Sequence, residues 1–513
     1  MKPRYKDDTR FAFQGGSAML FQSFEFAAFF IIVLGVWLII PAGLRIAWLL
    51  AASYCFYMGW NRGYALLLAA VTLVSWVAAL WMEKFYKQKR YIFFLAVIVI
   101  LSLLGFFKYS GFLLSAASHI SESAGCGSLH SRLVENLVLP VGISFYSFQA
   151  VGYLADVYSG RIAPDRSLPR FALFLSFFPQ LVAGPIERSG NLLKQLRRIR
   201  KVKAWDYDRI CSGLIMMLWG YFMKLVVADR LAVPVDTVFG SYREQPALLL
   251  LLGAAFFSVQ VYCDFASYSM IARGVARMLG FELMENFRAP FLSGSIREFW
   301  KRWHISLGGW LRDYIYIPLG GNRNGKWKTV RNTMAVFLVS GIWHGADWSF
   351  VVWGAVNGLA QVMENIWSHA SGKERDSGRK KTWFFRPVRT IGVFFFISLA
   401  FVFFRADSLG QAAGYLSCIV KNSIKPGWLQ SIHSLLVLPG MDTVETVVLY
   451  ASIVILAIVD TLCIKRDTTA DMLLINCGTA VSWGCIAGLV FAVFLFGRYG
   501  PLFDERAFIY FQF

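Results

Sequence analysis

Long apolar runs alternate with short polar or basic stretches along most of this chain. Runs of membrane-spanning character occur, for example, at residues 24–41, 64–82 and 447–463. A transmembrane helix needs about 20 predominantly apolar residues, and several of the runs are shorter than this, which favours tilted or broken helices. The pattern predicts an all-α polytopic membrane protein with about eleven transmembrane helices.

Three stretches do not fit simple spans, and one of them, residues 265–281, carries Arg273 and Arg277. Residues 174–185 are apolar but carry Pro179, Gly184 and Pro185. This composition predicts a re-entrant or broken segment, because non-helical backbone at membrane depth is tolerated only where protein or a cavity surrounds it. Residues 296–316 are amphipathic, which predicts one helix that lies in the plane of the membrane interface. Its aromatic face carries Trp300, Trp303, His304, Leu307, Trp310, Leu311 and Tyr314.

Composition narrows the class of protein further. Hydrophobic residues make up 57% of the chain and charged residues 16%, which excludes an ordinary soluble protein. The formal net charge is +20, and the basic residues cluster beside the apolar runs. Such clusters mark the cytoplasmic side of a membrane protein and attract anionic lipid head groups. Nucleic acid is not expected as a partner, because no recognition motif accompanies the basic clusters.

The domain organisation follows from the same pattern. Residues 1–18 are polar and precede the first apolar run. We predict that they form an N-terminal extension and that residues 19–513 form a single membrane domain. The hydropathy pattern shows no internal repeat, which weighs against a secondary transporter.

The motif GIWHGADW at residues 341–348 places His344 and Asp347 between two strongly apolar runs. An ionisable side chain at membrane depth is costly and usually marks a functional site. Histidine also accepts and returns a proton near neutral pH. We therefore predict that His344 is catalytic and that Asp347 orients it. The alternative is a buried histidine that is hydrogen-bonded to a neighbouring carbonyl.

Other polar side chains also lie in apolar surroundings. Among the six histidines, only His304 and His344 have this setting with aromatic neighbours, although an interfacial anchor is an equally good interpretation of His304. Gln180 and Asp264 are further examples, and together these groups favour a polar cavity through the membrane. The cysteines and histidines show no ligand spacing, so we predict no metal and no bound cofactor.

Several longer motifs resemble those of the membrane-bound O-acyltransferase (MBOAT) family, and within it the bacterial alginate O-acetyltransferase-like branch. They are FWKRWHISL at 299–307, WLRDYIYIPLGG at 310–321, GIWHG at 341–345, PVGISFY at 140–146, PQLVAGPIER at 179–188 and FIYFQF at 508–513. The resemblance covers residues 19–513.

The resemblance implies a funnel from each membrane face, meeting near the bilayer centre. It implies that His344 is the catalytic histidine and His304 the second histidine, with the acyl donor in the cytoplasm and the acceptor outside. A neutral imidazole can take the proton of an acceptor hydroxyl, and His304, Tyr or Trp side chains can donate to the developing oxyanion. We predict substrate-binding or supporting roles for Asp347, Trp303, Trp343, Tyr314, Gln180 and Asp264.

We therefore expect a multi-pass O-acyltransferase of a bacterial inner or plasma membrane. The expected donor is acetyl-CoA, used as a substrate, and the expected acceptor is an extracytoplasmic polysaccharide. Membrane lipid and a secreted or anchored acyl-transferring protein are the other expected partners. Two alternatives stay open: D-alanyl transfer from a carrier protein to teichoic acid, and a membrane transporter or lipid flippase.

Overall fold

The computed structural model describes residues 19–123, 139–323, 325–370, 386–425, 435–499 and 508–509. Every regular element within these ranges is a helix. The predicted all-α class is therefore confirmed. The predicted N-terminal extension of residues 1–18 lies outside the described residues, as do the last four residues of the FIYFQF motif.

The chain divides into two compact units. The first comprises Met1–Gly213 and Ala272–Met284, and the second comprises Leu214–Ile271 and Glu285–Phe513. The single membrane domain over residues 19–513 stays a prediction.

The helices that begin in the first unit are α1 (Phe24–Ile39), α2 (Arg45–Met58), α3 (Arg62–Lys84), α4 (Lys89–Ser123), α5 (Ile143–Tyr158), α6 (Leu168–Ser176), the short α7 (Phe178–Leu181) and α8 (Lys194–Leu196), and α9 (Tyr207–Tyr221). Two of these helices, α1 and α3, begin at a polar capping residue. The Ser23 side chain accepts from the Phe26 N–H at α1, and the Asn61 side chain accepts from the Gly63 N–H at α3. Such caps satisfy backbone donors that have no partner inside the helix.

The helices that begin in the second unit are α10 (Asp229–Gly240), α11 (Ala247–Met278), α12 (Ile296–Arg302), α13 (Ile305–Leu311), α14 (Lys326–His344), α15 (Trp348–Ala370), α16 (Arg386–Arg405), α17 (Leu409–Ser423), α18 (Thr443–Arg466), α19 (Ala470–Ile475) and α20 (Thr479–Phe496). Two π-helical turns, Phe222–Ala228 and Arg312–Tyr316, also lie in this unit. π-Helical turns often occur at functional sites.

Seven helical stretches in the described residues are long and apolar enough to cross a membrane. They are Arg62–Lys84, Tyr86–Ser118, Tyr207–Gly240, Ala247–Met278, Arg386–Arg405, Thr443–Arg466 and Thr479–Phe496. The most apolar window of Tyr207–Gly240 is 72% buried, whereas that of Thr479–Phe496 is 0% buried with a mean hydropathy of 2.1. An apolar helix without protein cover suits a lipid-facing position. The predicted total of about eleven spans and the central funnel stay predictions.

The segment at residues 174–185 is broken, as its prolines and glycine predict. α6 ends at Ser176, and Phe177 leaves helical geometry with φ −52° and ψ 107° before the short α7 begins. A Cβ on Gly184 would lie 2.4 Å from the Cα of Gln180, so this turn requires a glycine. The break is buried inside the first unit, where Phe177 is 0% exposed.

The prediction of one amphipathic helix over residues 296–316 is wrong. α12 ends at Arg302, Trp303 is extended, and His304 adopts a left-handed conformation before α13 begins. The aromatic face also does not lie on the surface of the second unit, because Trp303 belongs to its hydrophobic core and Leu307 and Trp310 are buried as well. Helical periodicity described the buried face correctly but could not reveal the break within it.

Candidate active site

A tight helical hairpin fixes the position of His344, the last residue of α14. Only three residues separate it from the start of α15. A Cβ on Gly341 would lie 2.3 Å from the carbonyl oxygen of Phe350, and a Cβ on Gly354 would lie 2.5 Å from that of Phe337. Both distances are too short for any side-chain carbon, so the backbones of α14 and α15 touch directly at these glycines. Their contact therefore determines where His344 lies.

Aromatic rings enclose His344. Its ring centroid lies 5.1 Å from that of Trp343, 5.1 Å from that of Trp353 and 5.2 Å from that of Phe404. The residue is only 5% exposed. Apolar walls of this kind exclude water, which strengthens electrostatic interactions inside and limits hydrolysis of a reactive ester.

His304 lies at the junction of α12 and α13 with φ 43° and ψ 53°. Left-handed backbone costs about 1–2 kcal/mol for a residue with a Cβ, and it persists where the surroundings hold it. Asn286 provides that support. Its main-chain oxygen accepts the Ile305 N–H at 2.9 Å, and its Oδ1 accepts the Ser306 hydroxyl at 2.9 Å and lies 3.1 Å from the His304 Nδ1.

The two predicted histidines lie together in the second unit. Their ring centroids are 6.4 Å apart, and the Trp343 ring packs against His304 at 5.9 Å as well as against His344. A direct N–H···N hydrogen bond of about 3.2 Å would bring the centroids to within about 5.6 Å. The imidazoles are therefore not hydrogen-bonded directly to each other.

His304 carries no charge at neutral pH. It lies outside the seven candidate spans and is 3% exposed, and burial lowers the pKa of His304 to about 3. A neutral imidazole has one N–H donor and one acceptor nitrogen. This ring therefore acts through hydrogen bonds and not as a fixed cation.

The predicted supporting aromatics have different surroundings. Trp343 touches both histidine rings, whereas Trp303 packs into the core, with its centroid 5.2 Å from that of Phe401. Tyr314 lies in the π-helical turn Arg312–Tyr316, with its ring 5.1 Å from that of Trp310. Trp343 is thus the supporting aromatic that the fold places against the histidine pair, and the roles of the others stay predictions.

Asp347 lies in the three-residue loop that follows His344. Its Oδ1 accepts the Ser349 N–H at 2.8 Å, a hydrogen bond that caps the start of α15. This contact explains an aspartate here on structural grounds, and its predicted role in orienting His344 stays a prediction.

Asp264 belongs to a buried ion cluster. Its Oδ1 lies 2.6 Å from the Lys224 Nζ, which is also 2.9 Å from the Asp229 Oδ1. The other oxygen of Asp264 accepts the Ile509 N–H at 2.8 Å. Buried charges need such partners, because an unpaired ion is costly away from water. Asp264 therefore holds the backbone at Ile509, and its substrate-binding role stays a prediction.

Sequence reasoning missed the partners of these polar groups. Lys224 interrupts an apolar run at residues 211–227, and the cost of an intramembrane charge would have singled it out. Asn286 gave no such signal, because it lies in a polar stretch before the FWKRWHISL motif.

Gln180 lies in the first unit and stabilises the broken segment there. Its Nε2 donates to the Phe174 carbonyl at 2.8 Å and to the Gln149 Oε1 at 3.3 Å. Glu187 in the same motif accepts the Met284 N–H at 2.5 Å, and burial raises the pKa of Glu187 to about 7. These contacts explain both residues structurally, and a substrate-binding role of Gln180 stays a prediction.

Taken together, the second unit holds a neutral, buried imidazole beside a second imidazole, both inside aromatic walls. Such a pair can accept a proton from a hydroxyl and orient it while water is kept out. That chemistry suits acyl transfer to an alcohol.

Comparison with known proteins gives one family and several relatives. The family MBOAT, the membrane-bound O-acyltransferase family, matches residues 159–405, a range that includes His304 and His344. The chain is 37% identical over 399 residues to the probable alginate O-acetylase AlgI of Azotobacter vinelandii, which covers 77% of this chain and 76% of the relative.

Two further relatives carry different names. The chain is 34% identical over 401 residues to the peptidoglycan O-acetyltransferase of Helicobacter pylori, with 73% of each chain covered. It is 29% identical over 243 residues to the teichoic acid D-alanyltransferase of Bacillus subtilis, with 45% of this chain and 60% of the relative covered.

Proposed function

The chain belongs to the membrane-bound O-acyltransferase family, and we propose that it moves an acetyl group from cytoplasmic acetyl-CoA to an extracytoplasmic polysaccharide. The predicted family, the acyltransferase class and the multi-pass location in a bacterial cell membrane are confirmed. The acetyl group, its donor and its acceptor belong to the proposal.

The relatives favour a carbohydrate acceptor. Those named for O-acetylation of alginate or peptidoglycan are more similar to this chain, and over more of its length, than the relative named for D-alanyl transfer to teichoic acid. D-alanyl transfer from a carrier protein is therefore the second candidate. Because the chain belongs to an acyltransferase family, acyl transfer is favoured over the alternative of a transporter or flippase.

The buried histidine pair is the observation that carries the proposal. In the proposed reaction His344 takes the proton of the acceptor hydroxyl while the hydroxyl oxygen attacks the thioester carbonyl carbon. A C–O bond forms, the C–S bond breaks, and the coenzyme A thiolate leaves and takes up the proton from His344. The aromatic walls around His344 favour the acceptor hydroxyl over water as the nucleophile.

The first experiment compares wild type with His344→Ala at matched membrane levels. Acetyl esters of envelope and secreted polysaccharide are released by alkali and quantified by NMR. We expect the variant to lose the esters of one polymer, because the acceptor hydroxyl then has no base. Lys328→Ala is the matched control, since Lys328 is exposed and lies on the same helix.

Two outcomes contradict the proposal. Unchanged esters in a folded, inserted His344→Ala protein would remove His344 from the reaction. A loss of D-alanine instead of acetyl esters in the same samples would favour the teichoic acid alternative.

The partner protein is a separate part of the proposal and rests on the family resemblance. We propose that a secreted or anchored protein completes transfer to the polymer outside the membrane. The purified chain in vesicles, supplied with acetyl-CoA and polysaccharide, should then form few polymer esters until an extracytoplasmic extract is added. Full ester formation by the chain alone would contradict this part.

A further inference from the structure

We propose that Asn286 is a positioning residue that fixes the tautomer of His304, so that His304 presents a bare Nε2 and accepts a hydrogen bond there during acyl transfer. The proposal rests on the proposed function and deepens it. It also changes the role predicted for His304, because a bare nitrogen cannot donate to an oxyanion.

The Ser306 backbone N–H fixes the orientation of the Asn286 side-chain amide, because it is always a hydrogen-bond donor. The Asn286 Oδ1 accepts the Ser306 N–H at 3.3 Å as well as the Ser306 hydroxyl at 2.9 Å. A backbone N–H can only donate, so a turned amide would place two donors against each other. On the opposite side, the Asn286 Nδ2 donates to the Ser269 Oγ at 3.2 Å. The Ser269 hydroxyl can donate or accept, so this contact is compatible with the orientation that the Ser306 N–H determines.

This oxygen determines which nitrogen of His304 carries the proton. The His304 Nδ1 lies 3.1 Å from the Asn286 Oδ1, and an amide oxygen can only accept. Nδ1 must therefore be the protonated nitrogen. A neutral imidazole carries one proton, so Nε2 carries none and its lone pair is an acceptor.

The surroundings keep the ring neutral. The His304 ring meets Phe265 edge-on at 4.6 Å and lies 6.2 Å from Phe287, while its ring neighbour that can titrate is His344. Apolar walls disfavour the charged imidazolium. The single proton on Nδ1 therefore persists across the physiological pH range.

Asn286 also sets the backbone that carries the ring. Its carbonyl accepts the Ile305 N–H at 2.9 Å, and its side chain accepts the next N–H along the chain, that of Ser306. These bonds hold the left-handed turn at His304. With Asn286 only 1% exposed, one residue fixes both the ring position and its proton.

The two histidines then act in turn on the single proton of the acceptor hydroxyl. While the hydroxyl binds beside the two imidazoles, whose centroids are 6.4 Å apart, it donates this proton in a hydrogen bond to the bare Nε2 of His304, which orients it. The proton then passes to the bare nitrogen of His344, which takes it as the C–O bond forms.

The test measures the tautomer directly and turnover separately. Protein labelled with ¹⁵N-histidine in lipid bilayers is examined by solid-state NMR, and the His304 signals are assigned as those lost in His304→Gln. We expect a protonated Nδ1 and an unprotonated Nε2 in the wild type. In Asn286→Leu we expect loss of this preference and at least a tenfold lower kcat, with little change in KM for acetyl-CoA.

Two matched variants separate positioning from folding. Asn286→Asp keeps the acceptor, so it should keep the tautomer while its carboxylate makes imidazolium appear at higher pH. Ser269→Ala removes only the distant hydrogen bond and should keep both tautomer and turnover.

The proposal is overturned if wild-type His304 carries its proton on Nε2. It is also overturned if Asn286→Leu lowers thermal stability but leaves the tautomer and kcat unchanged, because that result describes a structural residue. If the wild type forms no acetyl ester but His304 shows the expected tautomer and responds to Asn286→Leu, the positioning role stands and the proposed function fails.

Discussion

The contact between α14 and α15 allows a quantitative prediction for Gly354→Ala. The added Cβ would lie 2.5 Å from the Phe337 carbonyl oxygen, whereas carbon and oxygen normally approach to roughly 3.2 Å or more. The two helices must therefore separate by roughly 0.7 Å. His344 ends the helix that carries Phe337, so the same displacement reaches the active site.

Two magnitudes follow from this displacement. Overpacking of a close contact costs about 1–3 kcal/mol of stability. A misplacement of about 1 Å can cost about 100-fold in rate. We expect Gly354→Ala to remain folded and inserted, with kcat lowered about 10- to 100-fold, because its main effect is on the position of His344.

Two other glycines provide a graded control. A Cβ added to Gly392 on α16 would meet no atom within 4 Å, so Gly392→Ala should keep wild-type turnover. A Cβ on Gly358 of α15 would meet the Met334 Sδ at 3.0 Å and the Phe337 Cβ at 3.1 Å. The Met334 Sδ belongs to a flexible side chain and can shift. The Phe337 Cβ moves only with its backbone, but the 3.1 Å contact is less crowded than the 2.5 Å contact at Gly354, so Gly358→Ala should have an intermediate effect.

The assay is acetyl-ester formation by purified protein in lipid vesicles with the extracytoplasmic extract added, together with the thermal unfolding midpoint in detergent. The expected order of turnover is Gly392→Ala, then Gly358→Ala, then Gly354→Ala as the slowest. Wild-type turnover in Gly354→Ala would contradict this expectation, because it would mean that the helix contact does not control the position of His344.

Three further predictions concern stability. Burial lowers the pKa of His304 to about 3, so between pH 6.5 and 3 the unfolded chain binds more protons than the folded one. The free energy of unfolding should therefore fall on acidification through this window, by up to about 1.4 kcal/mol per pH unit. Unfolding midpoints measured between pH 3 and 8 should fall less steeply at low pH in His304→Gln than in the wild type. Burial raises the pKa of Glu187 to about 7, so the stability that its protonated form contributes is lost as pH rises from about 4.5 to 7. Glu187→Gln should lose this pH dependence of the unfolding midpoint, and an unchanged pH profile in the variant would contradict the prediction. Asp264→Asn removes one partner of Lys224 and should cost about 3 kcal/mol, the lower end for a broken buried pair because Asp229 remains; an unchanged unfolding midpoint would show that the cluster does not stabilise the fold.

Hydropathy and motifs along the chain are enough to establish the fold class and the family. Apolar runs must lie in lipid or in a protein core whatever their partners are, so the all-helical membrane character follows from hydropathy alone. The break at residues 174–185 follows from proline and glycine, whose backbone limits are local. The candidate histidines followed in the same way, because His304 and His344 are rare titratable groups in apolar surroundings.

How these residues meet became visible only in three dimensions. The break at His304 arises from hydrogen bonds to Asn286, which lies 18 residues earlier in the chain, and a periodic pattern carries no trace of such a bond. The same holds for Asp264, which pairs with Lys224 and with the Ile509 N–H, 245 residues away. Long-range hydrogen bonds and ion pairs depend on which segments of the backbone come together in the folded chain. Hydropathy and motif spacing depend only on the local structural preference of each segment, so they cannot predict these contacts.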